Sequence, residues 1–406
     1  PPTPDYIRRQ RQMCIRDRFD TGPEWLRATR QRAAEALRRE GLPSKKTEAW
    51  RFTPVRSLVD AEFASDEGLV SSVSAAPEDV KVRSIREALQ SEPGRLEGRL
   101  NLAGDPTHFA ALNAALFTDG IWIDVPAGVA VEAPIELSHG LADTSEPRVA
   151  YPRVLVTLGE SAELTLVEAY GGEEKGQLLN SVVEVELGRN AKMSHVRVHE
   201  DAGLQVGRVD VRQAADSRYR STVVTLGGAL LRFDVRCLLQ GRGAECQLDG
   251  AYLVEGEDHV DHHTLVEHEA PHCRSEQTYR GIASGKGTAV FDGIVVVHRD
   301  AQKTEAHQEN RNLLLSDTAT VHTKPHLEID ADDVVCSHGA TVGALDEDQL
   351  FYLRARGIPS DLAHAMLTYA FLESIVDRVG HEPTRNRMRE AVLSRIPRGE
   401  DIREVT

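Results

Sequence analysis

The sequence predicts a mainly β protein, its strands wound into a solenoid or packed as a sandwich or barrel, with helical segments at both ends. Three observations carry this. Alternating apolar and polar residues, punctuated by Gly and Pro, run from about residue 119 to 343. No helical pattern interrupts that run, which excludes a sheet assembled from βαβ units, because those need a crossover helix between strands. A turn followed by a small residue recurs inside it, at Gly159-x-x-Ala162, Gly188-x-x-Ala191, Gly241-x-x-Ala244 and Gly285-x-x-Thr288, with Ser316-x-x-Ala319 in the same place. That unit favours the solenoid: each coil turns a tight corner, where Gly adopts φ > 0 and a small side chain fits. The repeat is too irregular for a hexapeptide left-handed helix, and a jelly roll stays the alternative.

The elements follow in chain order. At 406 residues the chain exceeds one core of ordinary size, so two or three domains are expected. Residues 1–18 contain no apolar h-region and do not read as a secretory signal; their Arg content suits an organelle transit peptide. The string "MCIRDR" resembles translated sequencing-adaptor read-through, so residues 1–18, Cys14 included, are expected to be non-native or disordered. Residues 19–105 are expected to be a helical region. Trp25, Leu26, Thr29, Ala33 and Leu37 form one apolar stripe, and Gly41 and Pro43 stop the helix. Trp50 and Phe52, in "PSKKTEAWRFTP", read as aromatics that dock this segment on its neighbour; residues 60–105 are polar with little periodicity.

The β core is expected over 106–345 and a second helical region over 346–406. "LDEDQLFYLRARGIP" begins acidic and ends at a Gly-Ile-Pro break; "SDLAHAMLTYAFLESIVDRVG" opens with Ser360 as N-cap. Leu362, Ala365, Met366, Tyr369, Leu372, Val376 and Val379 form an apolar face. It reads as core, or as a docking face for a partner.

Composition excludes several function classes. The chain is 28% charged, and no stretch is long and apolar enough to span a bilayer. A net charge of −16 without a basic stripe argues against nucleic acid. The five cysteines are odd in number and form no Cys-x-x-Cys pair, which suits a reducing cytoplasm better than a disulfide framework or a zinc module. There is no GxxxxGK[ST] loop for a nucleotide phosphate and no dinucleotide-binding fingerprint.

Histidine is unevenly spread: twelve of 16 lie between 195 and 338. The densest patch holds His259, Asp261, His262, His263, Glu267, His268, Glu269, His272 and Cys273. In a strand His259, Asp261 and His263 share one face, with His262 and His268 on the other, so neither face offers a tidy metal triad. Two readings stand: His–carboxylate pairs on exposed faces, or a transient metal site, which would make the chain a stand-alone β-barrel metalloenzyme. A carbohydrate-active solenoid would need a carboxylate pair in a groove, and nothing singles one out. Cys336 and His338 are sharper. Two apart, they share one side of a strand that ends near Gly339. An imidazole there is expected to lower the thiol pKa and favour thiolate, the form that attacks sulfur and binds metal. Asp332 and Asp333 add oxygen ligands nearby.

The wider string carries more. "KPHLEIDADDVVCSHGATVGALDEDQLFYLRARGI" closely resembles the C-terminal signature of the SufB/SufD family of iron–sulfur cluster assembly, and "GKGTAVFDGIVVV", "TEAHQENRNLLLS" and "LTYAF" agree; "KTEAWRFTP" resembles the SufD branch. The similarity spans roughly residues 120–380. It implies a right-handed parallel β-helix core flanked by N-terminal and C-terminal α-helical segments. It implies a cytoplasmic, non-catalytic scaffold that pairs with a SufB-like paralogue, or with a second copy, and binds a SufC-like ABC ATPase through its C-terminal helices. Leu362, Met366 and Tyr369 would then be partner-binding. A cysteine desulfurase system would deliver sulfur to the paralogue. A nascent iron–sulfur cluster, or iron, would be held transiently at the subunit interface by Cys336 and His338. A flavin is associated with such complexes, but no residues here mark its site.

Overall fold

The computed structural model describes residues 22–59, 63–65, 69–100, 108–141, 147–171, 177–200 and 203–403. Residues 1–18, with Cys14, lie outside the described residues. Two sheets face each other across one bore. The first runs Lys81–Ser84, Ile121–Val125, Arg153–Leu158, Leu178–Leu187, Leu204–Gln213, Leu230–Leu239, His259–His268, Thr288–Val297 and Thr320–Ile329. The second runs Leu69–Val73, Ile135–Leu141, Glu163–Tyr170, Lys192–His199, Arg218–Leu226, Glu245–Val254, Arg274–Ala283, Glu305–Leu314 and Val335–Gly343. Consecutive strands alternate between the sheets, and within each sheet neighbouring coils pair parallel and in register. This is a parallel β-solenoid of about seven turns, flanked by helices at both ends. The jelly roll and the closed barrel are thereby set aside.

The corner chemistry differs from the expectation in an instructive way. At one corner the left-handed residue is Ser161, Asn190, Asp216, Gly243, His272 and Lys303, so one coil takes 26 to 31 residues. The glycines Gly159, Gly188 and Gly241 sit two residues earlier, and their φ values are not positive. They are needed because adjacent coils touch there: a Cβ on Gly241 would lie 1.9 Å from the Ala215 nitrogen, and one on Gly159 2.5 Å from that of Ala127. Ala162, Ala191 and Ala244 follow inside and are fully buried. Gly285, with φ of 62°, belongs to the opposite corner, with Gly256 and Gly227. The apparent single repeat is therefore two different turns.

The ends are treated unequally. At the N-terminal end, Lys81–Ser84 and Leu69–Val73 lie antiparallel on the first coils. The N-terminal region, expected to be helical, thus also supplies strands that cover exposed sheet edges. Its first helix, Glu24–Glu40, buries Leu26, Ala33 and Ala34, packs on the helix His108–Leu116, and stops at Gly41, whose φ is 72°. At the other end, no further strand covers Thr320–Ile329 or Val335–Gly343 among the described residues. The chain instead turns back along the second sheet as helices Glu347–Ala355, Ser360–Val376, Glu382–Arg395 and Gly399–Arg403. The middle helix starts after Pro359, whose extended backbone caps it, so Ser360 is its first residue rather than its N-cap. Ala365, Tyr369, Leu372, Ile375 and Val376 pack on Val167, Val196, Val198, Val224 and Leu253 of the solenoid wall.

The bore is not purely aliphatic. Glu168, His195 and Arg197 are wholly buried, with His195 Nε2 2.6 Å and Arg197 Nη1 3.2 Å from Glu168 Oε2. The Arg197 guanidinium lies over the rings of Tyr170 and Phe233. Burial alone would raise the Glu168 carboxyl, but Arg197 and the His195 hydrogen bond override it and hold it well below the usual range. Burial drives the other inward histidines down, His199 to about 3 and His262 and His268 to about 4.

Two predictions follow from these features. Gly241→Ala should lower unfolding stability by about 2–4 kcal/mol in urea titrations, from backbone overpacking. Gly94→Ala, with nothing near the added methyl, should stay within about 0.5 kcal/mol. For pH the sign is fixed by the lowered histidines. The unfolded chain takes up protons below about 6.5 that the folded chain refuses, so stability falls as pH drops from about 6.5 towards 4. Urea midpoints at pH 7 and pH 5 should show it, each histidine contributing up to about 2 kcal/mol. His262→Gln should flatten the slope, and an unchanged slope would refute the assignment.

Candidate functional site

Cys336 and His338 lie on Val335–Gly343, the last strand of the second sheet. The strand runs through Gly339 and does not end there as expected. Register sets which way each side chain points. Cys336 stands above Ala306 and His338 above Gln308, both buried residues of the bore. Ser337, between them, stands above half-buried His307 on the outer face, and their side chains meet at 2.8 Å. Cys336 and His338 therefore share the inward face, as the two-residue spacing implies, each ending its own column. With no coil above among the described residues, both columns open at the mouth of the solenoid. His338 is exposed, and its imidazole makes no hydrogen bond or ion pair among the described residues. Cys336 is half-buried and packs beside Val295, Val297, Ala306 and Leu327.

The thiol is not activated as the spacing suggested. Burial pushes Cys336 above its ordinary pKa, partly offset by a backbone hydrogen bond from Ala306, and no imidazole contributes. Its surroundings thus favour the protonated thiol over the thiolate. Asp333 is engaged by Lys303, and Asp332 is exposed; neither is drawn towards the thiol. Around the mouth lie the exposed apolar side chains of Val335, Val342, Ile329 and Leu315.

The histidines of the 259–273 patch do not converge on one ligand set among the described residues. His262 and His268 face the bore, where Thr225 and Ser275 meet them. His259, Asp261 and His263 face outward and hold down the N-terminal strap. Thr53 Oγ1 donates to Asp261 at 2.5 Å and lies 3.2 Å from His259 Nε2; His263 Nε2 lies 2.9 Å from Asp261. Arg232 bonds Asp261 and the Ala49 carbonyl and sits 4.1 Å above the Trp50 ring, while Phe52 stacks on His322. Trp50 and Phe52 do dock the segment, and their target is the solenoid. Cys273 is buried, and His272 is the left-handed residue of its turn. The solenoid sets aside the β-barrel of the metalloenzyme reading, and the patch's histidines are divided between the bore and the outer face. Among the described residues, Glu267, Glu269 and His298 are the one trio with ligand atoms within 4.8 Å of one another; two of the three are exposed, and Glu267 is already bound by Arg236.

The apolar face of Ser360–Val376 is turned on the chain's own wall. Tyr369 is buried against that wall, while Leu362 and Met366 stay half-exposed at its margin. The exposed apolar side chains of the C-terminal region are instead Phe351 and Tyr352, on Glu347–Ala355. The sequence signal for them, two aromatics beside acidic residues, was present but was not read as surface.

Residues 141–371 match the SufBD core domain of the SUF system of iron–sulfur cluster assembly, more than half of the chain. The chain belongs to the SufBD family. Within it, the chain is 31% identical to the iron–sulfur cluster assembly protein SufD of Escherichia coli, over 91% of this chain and 93% of that one. It is 30% identical to a SufBD family protein of Synechocystis, over 90% of both chains. It is 33% identical to protein ABCI7, chloroplastic, of Arabidopsis thaliana, over 90% of this chain and 85% of the other. No helix among the described residues is long and apolar enough to cross a membrane. Cys336 and His338 lie inside the matched SufBD core.

The raised thiol gives a direct check. With iodoacetamide at pH 7, Cys336 should react about 3–10-fold more slowly than an unhindered free cysteine and accelerate through pH 9. Buried Cys237, Cys246 and Cys273 should be spared in the native protein. Peptide mass mapping reads all four; faster-than-free reaction of Cys336 at pH 7 would show an activated thiolate instead.

Proposed function

We propose that this SufBD protein is a scaffold subunit whose open solenoid end pairs with a SufB-like chain, and that Cys336 and His338 supply its half of a site for iron or a nascent cluster. The observation that carries the reading is the placement of thiol and imidazole together on the uncovered terminal strand. A protein keeping a thiol and a histidine for packing would bury them in the bore, as Cys246 and His195 are. The rim supports it too. Two terminal strands, each with one edge unpaired among the described residues and flanked by exposed Val335, Val342 and Ile329, invite strand addition by another chain. Two ligands do not complete a coordination sphere, so the remaining ligands come from the partner. Without the paralogue, the same edge pairs with a second copy.

The chain itself catalyses nothing in this reading. A SufC-like ATPase hydrolyses ATP and docks on the C-terminal helical region, with Phe351 and Tyr352 as the exposed anchors. A cysteine desulfurase system charges the SufB-like chain with sulfur. The complex works in the cytoplasm.

The test is co-expression with SufB-like and SufC-like partners, as wild type and as His338→Ala, with anaerobic purification. The complex should form in both, and iron–sulfur absorbance per complex should fall at least about tenfold in the variant, the loss of one metal ligand. Equal cluster yield in both would overturn the assignment of His338. Failure of the wild type to associate with either partner would overturn the scaffold reading itself.

A further inference from the structure

Directly beneath His338 in its inward column lies Gln308, and beneath Gln308 lies Gln277. Earlier coils place Leu248, Ser221, His195 and Leu166 in that column. Two primary amides thus occupy the last two positions below the mouth. Both are buried, Gln308 at 4% exposure and Gln277 at 1%. Their hydrogen bonds are lopsided. Gln277 Oε1 accepts two donors, Thr264 Oγ1 at 2.6 Å and Gln308 Nε2 at 3.2 Å. That fills both lone pairs of the Gln277 carbonyl and fixes the orientation of the Gln308 amide.

Gln308 is held there by shape as well. Across the bore at its level stands Gly293, and the Gln308 amide occupies the space a Cβ there would take, 2.2 Å from its Nε2. The carbonyl Oε1 of Gln308 is left with no partner, although it is fully buried, and so is the Nε2 donor of Gln277 on the amide below. A buried acceptor without a donor is uncommon and calls for one. The next strand outward, about 4.8 Å away, carries His338 in register, whose ring nitrogens are uncommitted.

We propose that Gln308 is a positioning residue for His338: its side-chain carbonyl accepts the ring N–H of the imidazole and fixes which nitrogen is presented at the mouth. A ligand histidine works through one nitrogen while the other donates to an oxygen that sets the ring's tautomer and orientation. Gln308 offers that oxygen, Gln277 and Thr264 brace it, and Gly293 makes the space. The role as metal ligand rests on the scaffold reading above; the orientation of the ring does not.

The experiment reads the ring directly. The full chain is labelled with 15N-histidine, and long-range 1H–15N spectra are recorded at pH 8, with His338 assigned by its absence in His338→Ala. Wild type should show one tautomer. Gln308→Leu, which keeps the bulk and removes the acceptor, should show both tautomers as in a free imidazole; Gln308→Glu, which keeps an acceptor oxygen, should restore one. In the co-expressed complex, Gln308→Leu should lower cluster yield about tenfold, the usual size of such an outer-shell effect, and Gln308→Glu should recover part of it. A free-imidazole mixture in wild type would overturn the proposal without any variant, which matters if Gln308→Leu fails to fold. So would the same tautomer in wild type and Gln308→Leu. If His338→Ala leaves cluster yield unchanged while the wild-type ring is a single tautomer lost in Gln308→Leu, the scaffold reading falls and the positioning contact stands.

Discussion

Everything in this structure depends on the hydrogen bonds between one coil and the next. In a parallel solenoid the backbone N–H and C=O groups of each strand point along the axis, so a coil is satisfied only when another lies on each side. The register is strict: His195 sits on Leu166 below and under Ser221 above, and the same holds position by position along both sheets. Where turns stack, backbones approach so closely that Gly159, Gly188 and Gly241 have no room for a Cβ. The stack must also be stopped at each end. Antiparallel strands stop it at one end; at the other, no strand among the described residues covers the last coil, and the helices lie along the side wall.

Strict register turns the bore into columns, and the columns explain the buried charge. An aliphatic column tolerates a slip, because one valine replaces another at similar cost. Glu168, His195 and Arg197 do not: their hydrogen bonds and the stacking of Arg197 between Tyr170 and Phe233 exist in one register only. A buried ionic cluster is seldom a net gain in stability over well-packed apolar side chains. It discriminates between registers, since a slip of one residue would set Glu168 level with Val196 or Val198 instead of Arg197. The glycines of the bore act in the same direction. Gly250 and Gly281 are the gaps into which Tyr279 and Tyr252 fit, with a Cβ on Gly281 only 1.9 Å from the Tyr252 ring.

The class of fold was legible because period-two patterning and the absence of crossover helices leave few architectures. The boundaries of the first helix were legible for the same local reasons, a stripe ending at Gly41. What the sequence hid was anything decided by the coil next door. Gly159 and Gly188 looked like residues needing positive φ, while the positive φ belongs to Ser161 and Asn190 two positions on. The reason for the glycines is a neighbour's backbone, which a local reading cannot see. The histidine patch misled in the same way. Its alternation was read correctly, yet what engages His259, Asp261 and His263 is a strap around residue 50, some two hundred positions earlier. Tyr369 was placed on the right face of its helix, but a stripe does not say whether its cover is the same chain or another. For Cys336 and His338 the shared side was legible from their spacing, and the burial that pushes the thiol pKa up was not. That follows from packing against Val295 and Ala306, which lie on other coils.

The column that ends in Cys336 shows why such a site belongs at an end of a solenoid. Below Cys336 it passes through Ala306 and Ser275 to Cys246, another thiol pointing the same way. Cys246 is 3% exposed and lies in the main interior cluster. The two cysteines differ chiefly in whether a coil lies above them. An inward residue is sealed by the next coil everywhere except on the last, so a solenoid can present inward-facing ligands only at an uncovered end. An uncovered end is also an unpaired sheet edge, whose N–H and C=O groups are open to another strand. Access to the inward residues and a free pairing edge are thus the same feature of the fold. A thiol and an imidazole placed there would be within reach of any chain that closed the stack.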